Sequence, residues 1–180
     1  QARGFNGAVI DWYGPNKQVE ESTTQKVKLD LEGRCSGGSC PMEFALTADG
    51  GSITSSCLQN GGGTDQSNCI INALQNDFDY ANSNYFSSPA YYRVDSTMNP
   101  SPTGRPVVFF FICESCFTNP APNWSYVWNQ MRAHVLGYAN GDPLIWFIFR
   151  NAGAFTHTQS DGGFAWVNHY GSNDPFGLLY

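Results

Sequence analysis

The chain has 180 residues, enough for one well-buried core and too few for two, so residues 1–180 are read as a single domain. Only 13% of the residues are charged while 15% are aromatic, and nine Lys and Arg face fifteen Asp and Glu. So few scattered cations make no stripe for phosphates, which excludes nucleic acid, and no apolar run approaches the roughly 20 residues of a spanning helix, which excludes a membrane partner.

The opening QARGFNGAV has neither a basic nor an apolar leader segment, so any signal peptide is expected to be absent from the chain. Residues 7–12 (GAVIDW) then read as a short buried strand. A helix is expected over about 19–31 and a second strand over 42–48 (MEFALTA), followed by Asp49-Gly50-Gly51, a sequence that suits a turn. A helix over about 69–85 runs into FDYANSNYFSSPAYYRVD, where Pro89 and later prolines force an extended stop, and Tyr80, Tyr85, Tyr91 and Tyr92 read as packing. Residues 106–112 (PVVFFFI) and 144–149 (LIWFIF) lack polar alternation, which predicts strands covered on both faces, as in a parallel sheet. Between them Trp124, Val127, Trp128, Met131 and Val135 mark one face of a helix over 124–136, with Asn123 or Ser125 as its cap and Gly137 at its end. A fifth strand covers 163–167 (GFAWV).

Strands alternating with helices give an α/β fold, either doubly wound or a (β/α) barrel of TIM type. A dinucleotide-binding sheet needs a Gly-x-Gly-x-x-Gly turn after a strand, and none of the five has one, so the barrel is the reading. With about five strands visible of eight, it is read as a partial or incomplete barrel, a single domain or a fragment of a larger one.

Six cysteines fall into sequence-local pairs, Cys35 with Cys40, Cys57 with Cys69, and Cys113 with Cys116. An even count at short spacing predicts disulfides and a secreted, extracellular protein. Cys113-x-x-Cys116 also has metal or redox spacing, but there is no second pair and no histidine nearby in sequence, so no metal and no cofactor are expected. The sequon Asn123-Trp124-Ser125 agrees with a secreted surface loop.

Ligands of parallel α/β folds meet the carboxyl ends of the strands. Those ends carry Asp11-Trp12-Tyr13, Asp49-Gly50, Cys113-Glu114-Ser115-Cys116, Arg150-Asn151 with His157 and Asp161 further on, and Trp166-Val167-Asn168-His169. Aromatic rings stack on the C–H faces of sugars, amides and Arg bond their hydroxyls, and two carboxyls break a glycosidic bond as acid and as base or nucleophile. Asp11 and Asp49 are the leading catalytic pair with Glu114 a third candidate, and Trp12, Tyr13, Arg150, Asn151, Asp161, Trp166 and His169 are candidate substrate-binding residues. Each has a plainer reading: Asp49 a turn residue, Asp11 a cap or ion-pair partner, Glu114 part of a disulfide loop, Trp12 and Trp166 core, His157 and His169 polar loop residues.

Three passages resemble the secreted glycoside hydrolases of families 71 and 99. Gly4 to Pro15 (GFNGAVIDWYGP) is similar to the family 99 strand that ends in Trp-Trp-Gly-Pro, with a departure at Asp11. Ser88 to Arg93 (SPAYYR), followed by Gly104 to Phe110 (GRPVVFF), resembles the Pro-Ala-Tyr/Phe-Tyr-Arg and Gly-Lys/Arg-Pro-Val passage. Asp161 to Trp166 (DGGFAW) resembles the family 71 stretch Asp-Gly-x-x-Ser-Trp, where a catalytic acid follows the tryptophan; here Val167-Asn168-His169 follows. The resemblance implies a TIM barrel that hydrolyses an α-linked polysaccharide such as α-glucan or α-mannan. The alternatives are a non-catalytic carbohydrate-binding relative and a secreted structural protein.

Overall fold

In the computed structural model, residues 7–57, 66–97, 99–101, 103–117, 121–138, 145–150 and 156–164 are described. Along them run β1 (Gly7–Trp12), α1 (Gln18–Glu32), β2 (Glu43–Asp49), α2 (Gly50–Cys57), α3 (Gln66–Asn84), β3 (Arg93–Val94), β4 (Arg105–Phe111), α4 (Trp124–Val135), β5 (Trp146–Arg150) and β6 (Gly162–Phe164). A single 3-10 turn, Glu114–Cys116, follows β4. The five expected strands are present within a residue or two of their expected starts. Two elements were not expected: α2, because Asp49 closes β2 and the helix begins at once on Gly50-Gly51, and the two-residue β3.

The sheet order is β1-β2-β4-β5-β6, every neighbouring pair parallel, and β3 adds to β4 antiparallel. The parallel strands therefore follow chain order, with no point at which the order reverses. Right-handed crossovers in such a series place successive helices on one face of the sheet. That face carries Ile10, Trp12, Phe44, Leu46, Ala48, Val108, Phe110, Phe147 and Phe149, all in one core cluster with the helices. From α3 come Ile70, Ile71, Leu74, Phe78 and Ala81, and from α4 Val127, Trp128, Met131 and Val135, each set one helical stripe. Phe110 is its centre, with rings of Phe78, Trp128, Phe147 and Phe149 at 5.7, 4.9, 5.0 and 5.0 Å.

The opposite face is only partly covered. A small cluster of Val94, Val107 and Ile148 is flanked by Tyr92, Phe109, Trp146 and Phe164, and Val9 is 56% exposed. The expectation that 106–112 is covered on both faces is thus met on one: Phe109 and Phe111 remain partly accessible among the described residues.

Local chemistry accounts for the awkward positions. The slot beside the start of β2 is filled first by residues 90–92, with Phe44 N–H donating to Ala90 O and Tyr92 N–H to Phe44 O, and β4 takes over at Leu46↔Val108. Tyr91 closes the handover: its hydroxyl donates to Val107 O at 2.9 Å and accepts from Leu46 N–H at 3.2 Å. Pro106, which has no N–H, sits before the β2 pairing starts and costs no rung of it. Asn123 caps α4 by accepting from Tyr126 N–H at 3.0 Å. The disulfides are Cys35–Cys40, Cys57–Cys69 and Cys113–Cys116. Cys57–Cys69 ties α2 to α3 and restricts the unfolded chain by about 3 kcal/mol.

Candidate functional site

Strand alternation sorts the residues at the end of β1. Asp11 is in register with Thr47, on the partly open face, and Trp12 with Ala48, on the helix face. Trp12 accordingly lies in the core at 2% exposure, and its indole N–H donates to Glu21 Oε2 at 2.7 Å. It takes the core reading and presents no platform to a sugar. Tyr13 leaves the strand toward Asp11, donating its hydroxyl to Asp11 Oδ2 at 3.3 Å.

Asp49, the last residue of β2, accepts Gly51 N–H at 2.6 Å and so supports the first turn of α2. It is one strand across and two residues beyond the level of Asp11, which separates their Cα atoms by about 8 Å. A methyl group on Gly51 would stand 2.9 Å from both Asp49 Oδ1 and Tyr13 Cε1, so Asp11, Tyr13, Asp49 and Gly51 form one contiguous group.

Their acidities are coupled. Burial raises Asp11 above the ordinary carboxylate range, against the opposing Tyr13 hydrogen bond. Burial also raises Asp49; the Gly51 amide opposes it and the charge on Asp11 adds to it. Tyr13 is raised by the Asp49 charge first, then by burial and by Asp11. Both acids are thus raised, and the charge on Asp11 favours the protonated form of Asp49.

The next row of the sheet continues the open face. Asp49 pairs with Phe111, and Arg150 lies over the Phe111 ring with its guanidinium carbon 4.3 Å from the centroid. Arg150 is in turn in register with Phe164. Acid, ring, guanidinium and ring thus follow one another across four strands.

The other candidates lie elsewhere. Glu114 is held inside the disulfide turn, its Oε1 accepting Trp128 Nε1–H at 3.0 Å and lying 2.6 Å from His157 Nε2. His157 is packed beside Trp128 and Phe149, with a side chain only 7% exposed. This pair fastens the segment after β5 to the end of β4. Asp161 stands at the start of β6, because the chain crosses back from the carboxyl end of β5 before β6 begins. There it accepts Phe147 N–H at 2.8 Å and pairs with Arg132, away from Asp11 and Asp49. Asn151, Trp166 and His169 fall outside the described residues.

One carboxyl escaped the sequence reading. Asp77, in the middle of α3, lies against the loop after β1, where Gly14 adopts φ +80° and a Cβ would meet Asp77 Oδ1 at 2.5 Å. Burial pushes its pKa up to about 7. The available signal was Gly14 itself, since a glycine after Trp-Tyr and before Pro marks a close approach.

Among the described residues no group of three or more His, Cys, Asp or Glu is placed to hold a metal ion, and no helix is long and apolar enough to cross a membrane. Comparison with protein-family models, curated proteins and solved structures gave no match.

Proposed function

We propose that this chain carries the sugar-cleaving site of a secreted glycoside hydrolase, built on a (β/α) barrel of TIM type. The observation that carries the reading is the Asp11–Tyr13–Asp49 group at the carboxyl ends of two adjacent parallel strands, both acids raised and the charge on one favouring the protonated form of the other. Glycoside hydrolysis needs two carboxyls in different states: one protonated to donate to the leaving oxygen, one ionised to act as nucleophile or to activate water. Asp49 is the acid and Asp11 the base or nucleophile, with Tyr13 orienting Asp11. Phe111 and Arg150, in the neighbouring row, extend the surface on which a sugar stacks and is hydrogen-bonded.

Strand order without reversal supports the barrel, since a singly wound series of parallel strands is what closes into one. Three disulfides support an oxidising, extracellular setting. The α-linked polysaccharide, α-glucan or α-mannan, rests on the resemblance to families 71 and 99.

Release of reducing sugar from a panel of α-glucans and α-mannans tests the reading. Asp49→Asn is expected to lower the rate by about 10²- to 10⁴-fold while leaving the thermal midpoint in place. Equal rates for wild type and variant would remove Asp49 from the mechanism.

A second reading, a carbohydrate-binding relative without turnover, is favoured by one observation, that Val167-Asn168-His169 follows Trp166 where the family 71 pattern has an acid. Glycan binding with no reducing sugar released from any member of the panel would select it.

A further inference from the structure

We propose a second ligand site at the amino ends of the strands, where Arg93 receives the carboxylate of a small organic acid. Arg93 opens β3 and lines a cleft of about 210 Å³ with Asn82, Ser87, Phe86, Pro106 and Ile145. Pro106 starts β4 and Ile145 precedes β5, whereas Asp49 and Arg150 end their strands. From Pro106 to Phe111 the strand rises about 17 Å, so this cleft is separate from the site proposed above and stands independently of it.

The guanidinium is the anomaly. Arg34 pairs with Asp30, Arg132 pairs with Asp161, and Arg105 and Arg150 lie over Trp146 and Phe111. Among the described residues Arg93 has neither a carboxylate nor a ring; its hydrogen bond is a long one, Nη1 to Gly104 O at 3.3 Å. Five N–H donors are thus left with one carbonyl. Burial lowers its pKa, the sign of a cation short of compensation. Charges withdrawn from water are as a rule paired, and here the cleft leaves room for the pair to come from outside.

The lining fits a carboxylate on an apolar body. Arg93 presents a planar fork suited to two carboxylate oxygens, and Asn82 and Ser87 add an amide and a hydroxyl. Phe86, Pro106 and Ile145 form an apolar wall. Tyr138 also lines the cleft, and its hydroxyl is committed to Asp79 at 2.6 Å, a carboxylate also held by His134 Nε2 at 2.7 Å.

Titration of the full chain with benzoate, benzamide and inorganic phosphate, followed by calorimetry and amide chemical shifts, tests the site. Benzoate is expected to bind, shifting the Asn82 and Arg93 signals, with benzamide and phosphate each about tenfold weaker. Arg93→Gln is expected to lower benzoate affinity by about tenfold or more, and Ser87→Leu, at an exposed position on the rim, to do the same without touching the guanidinium. Benzoate no tighter than benzamide, or binding unchanged in both variants, would overturn the proposal. Phosphate as tight as benzoate would overturn the organic-acid assignment.

Discussion

Glu21 and Asp49 are carboxylates on either side of the same strand pair, and their acidities move in opposite directions. Burial alone would raise Glu21, yet Tyr85, Trp12, Tyr80 and Gln25 all donate to it and hold it below the usual range. Asp49 is raised, by burial first and by the charge on Asp11, against the opposing Gly51 amide. The helix side of β1 is therefore a hydrogen-bonded network that fixes α1 and α3 to the sheet, and the open side holds acids whose neutral forms burial favours. Hydrogen bonds win over burial at Glu21, and burial wins at Asp11 and Asp49.

The largest effect expected follows from breaking the satisfied side. Glu21→Ala leaves the Trp12 indole and the Tyr80 and Tyr85 hydroxyls without their acceptor, and about 4 kcal/mol of stability is expected to go, read from the urea midpoint. Because Glu21 is lowered in the folded state, its contribution is present above about pH 4.3, the unfolded value, and disappears as pH falls through the lower folded one. Glu21→Ala should accordingly flatten that acid decline. An unchanged midpoint would mean that the donors find water instead.

Asp77 gives the opposite sign. Its pKa rises to about 7 in the fold against about 3.9 unfolded, so the native state binds the extra proton between those values and stability falls as pH rises through them. Asp77→Asn removes the titration and is expected to gain about 3 kcal/mol at pH 8 and almost nothing at pH 3. A variant no more stable than wild type at pH 8 would show that Asp77 is solvated beneath Gly14.

Gly51→Ala separates the two sides within one residue. Gly51 is exposed in the first turn of α2, where alanine adds up to about 1 kcal/mol of helix preference. The added methyl at 2.9 Å displaces Asp49 Oδ1 and the Tyr13 ring. Thermal stability is expected to hold or rise while the proposed glycoside hydrolysis falls about tenfold, a displacement effect of the kind that positions of reacting groups impose. Loss of both together would place the damage in α2.

What could be read from the chain beforehand follows from how local each signal is. The boundaries of β1 came through because Gly7 and Gly14 bracket a run that buries only as a strand, and the α4 cap because Asn123 precedes an apolar stripe of period 3.6. Parity would also have assigned Trp12: if Asp11 faces the open side, its neighbour in a strand cannot. α2 was hidden because Asp-Gly-Gly favours a turn, and only the packing of Ile53 and Cys57 and the Cys57–Cys69 bond make the helix worthwhile. The convergence of Glu21 with Tyr80 and Tyr85, 59 and 64 residues away, is long-range contact with no local trace. The placement of Asp161 at the start of β6, against Phe147 and Arg132, depends on where the β5–β6 crossover returns, which composition does not encode.

Tyr13→Phe is the smallest change and the finest probe of the open side. The hydroxyl lowers Asp11 through a 3.3 Å bond at an exposed site, so its removal is expected to change stability by less than about 0.5 kcal/mol. Asp11 should then ionise at higher pH, and because the proposed reaction requires it ionised, the acidic limb of the rate profile should move upward with it. Asp49 should respond in the other direction: with Asp11 less readily charged, the repulsion that helps to hold its proton weakens at a given pH. With Asp49 as the proposed acid and Asp11 as the proposed base, the pH range with one protonated and one ionised narrows from both edges. A profile that keeps its width would leave the difference between the acids to burial and the charge on Asp11, with Tyr13 a bystander at the mouth of the sheet.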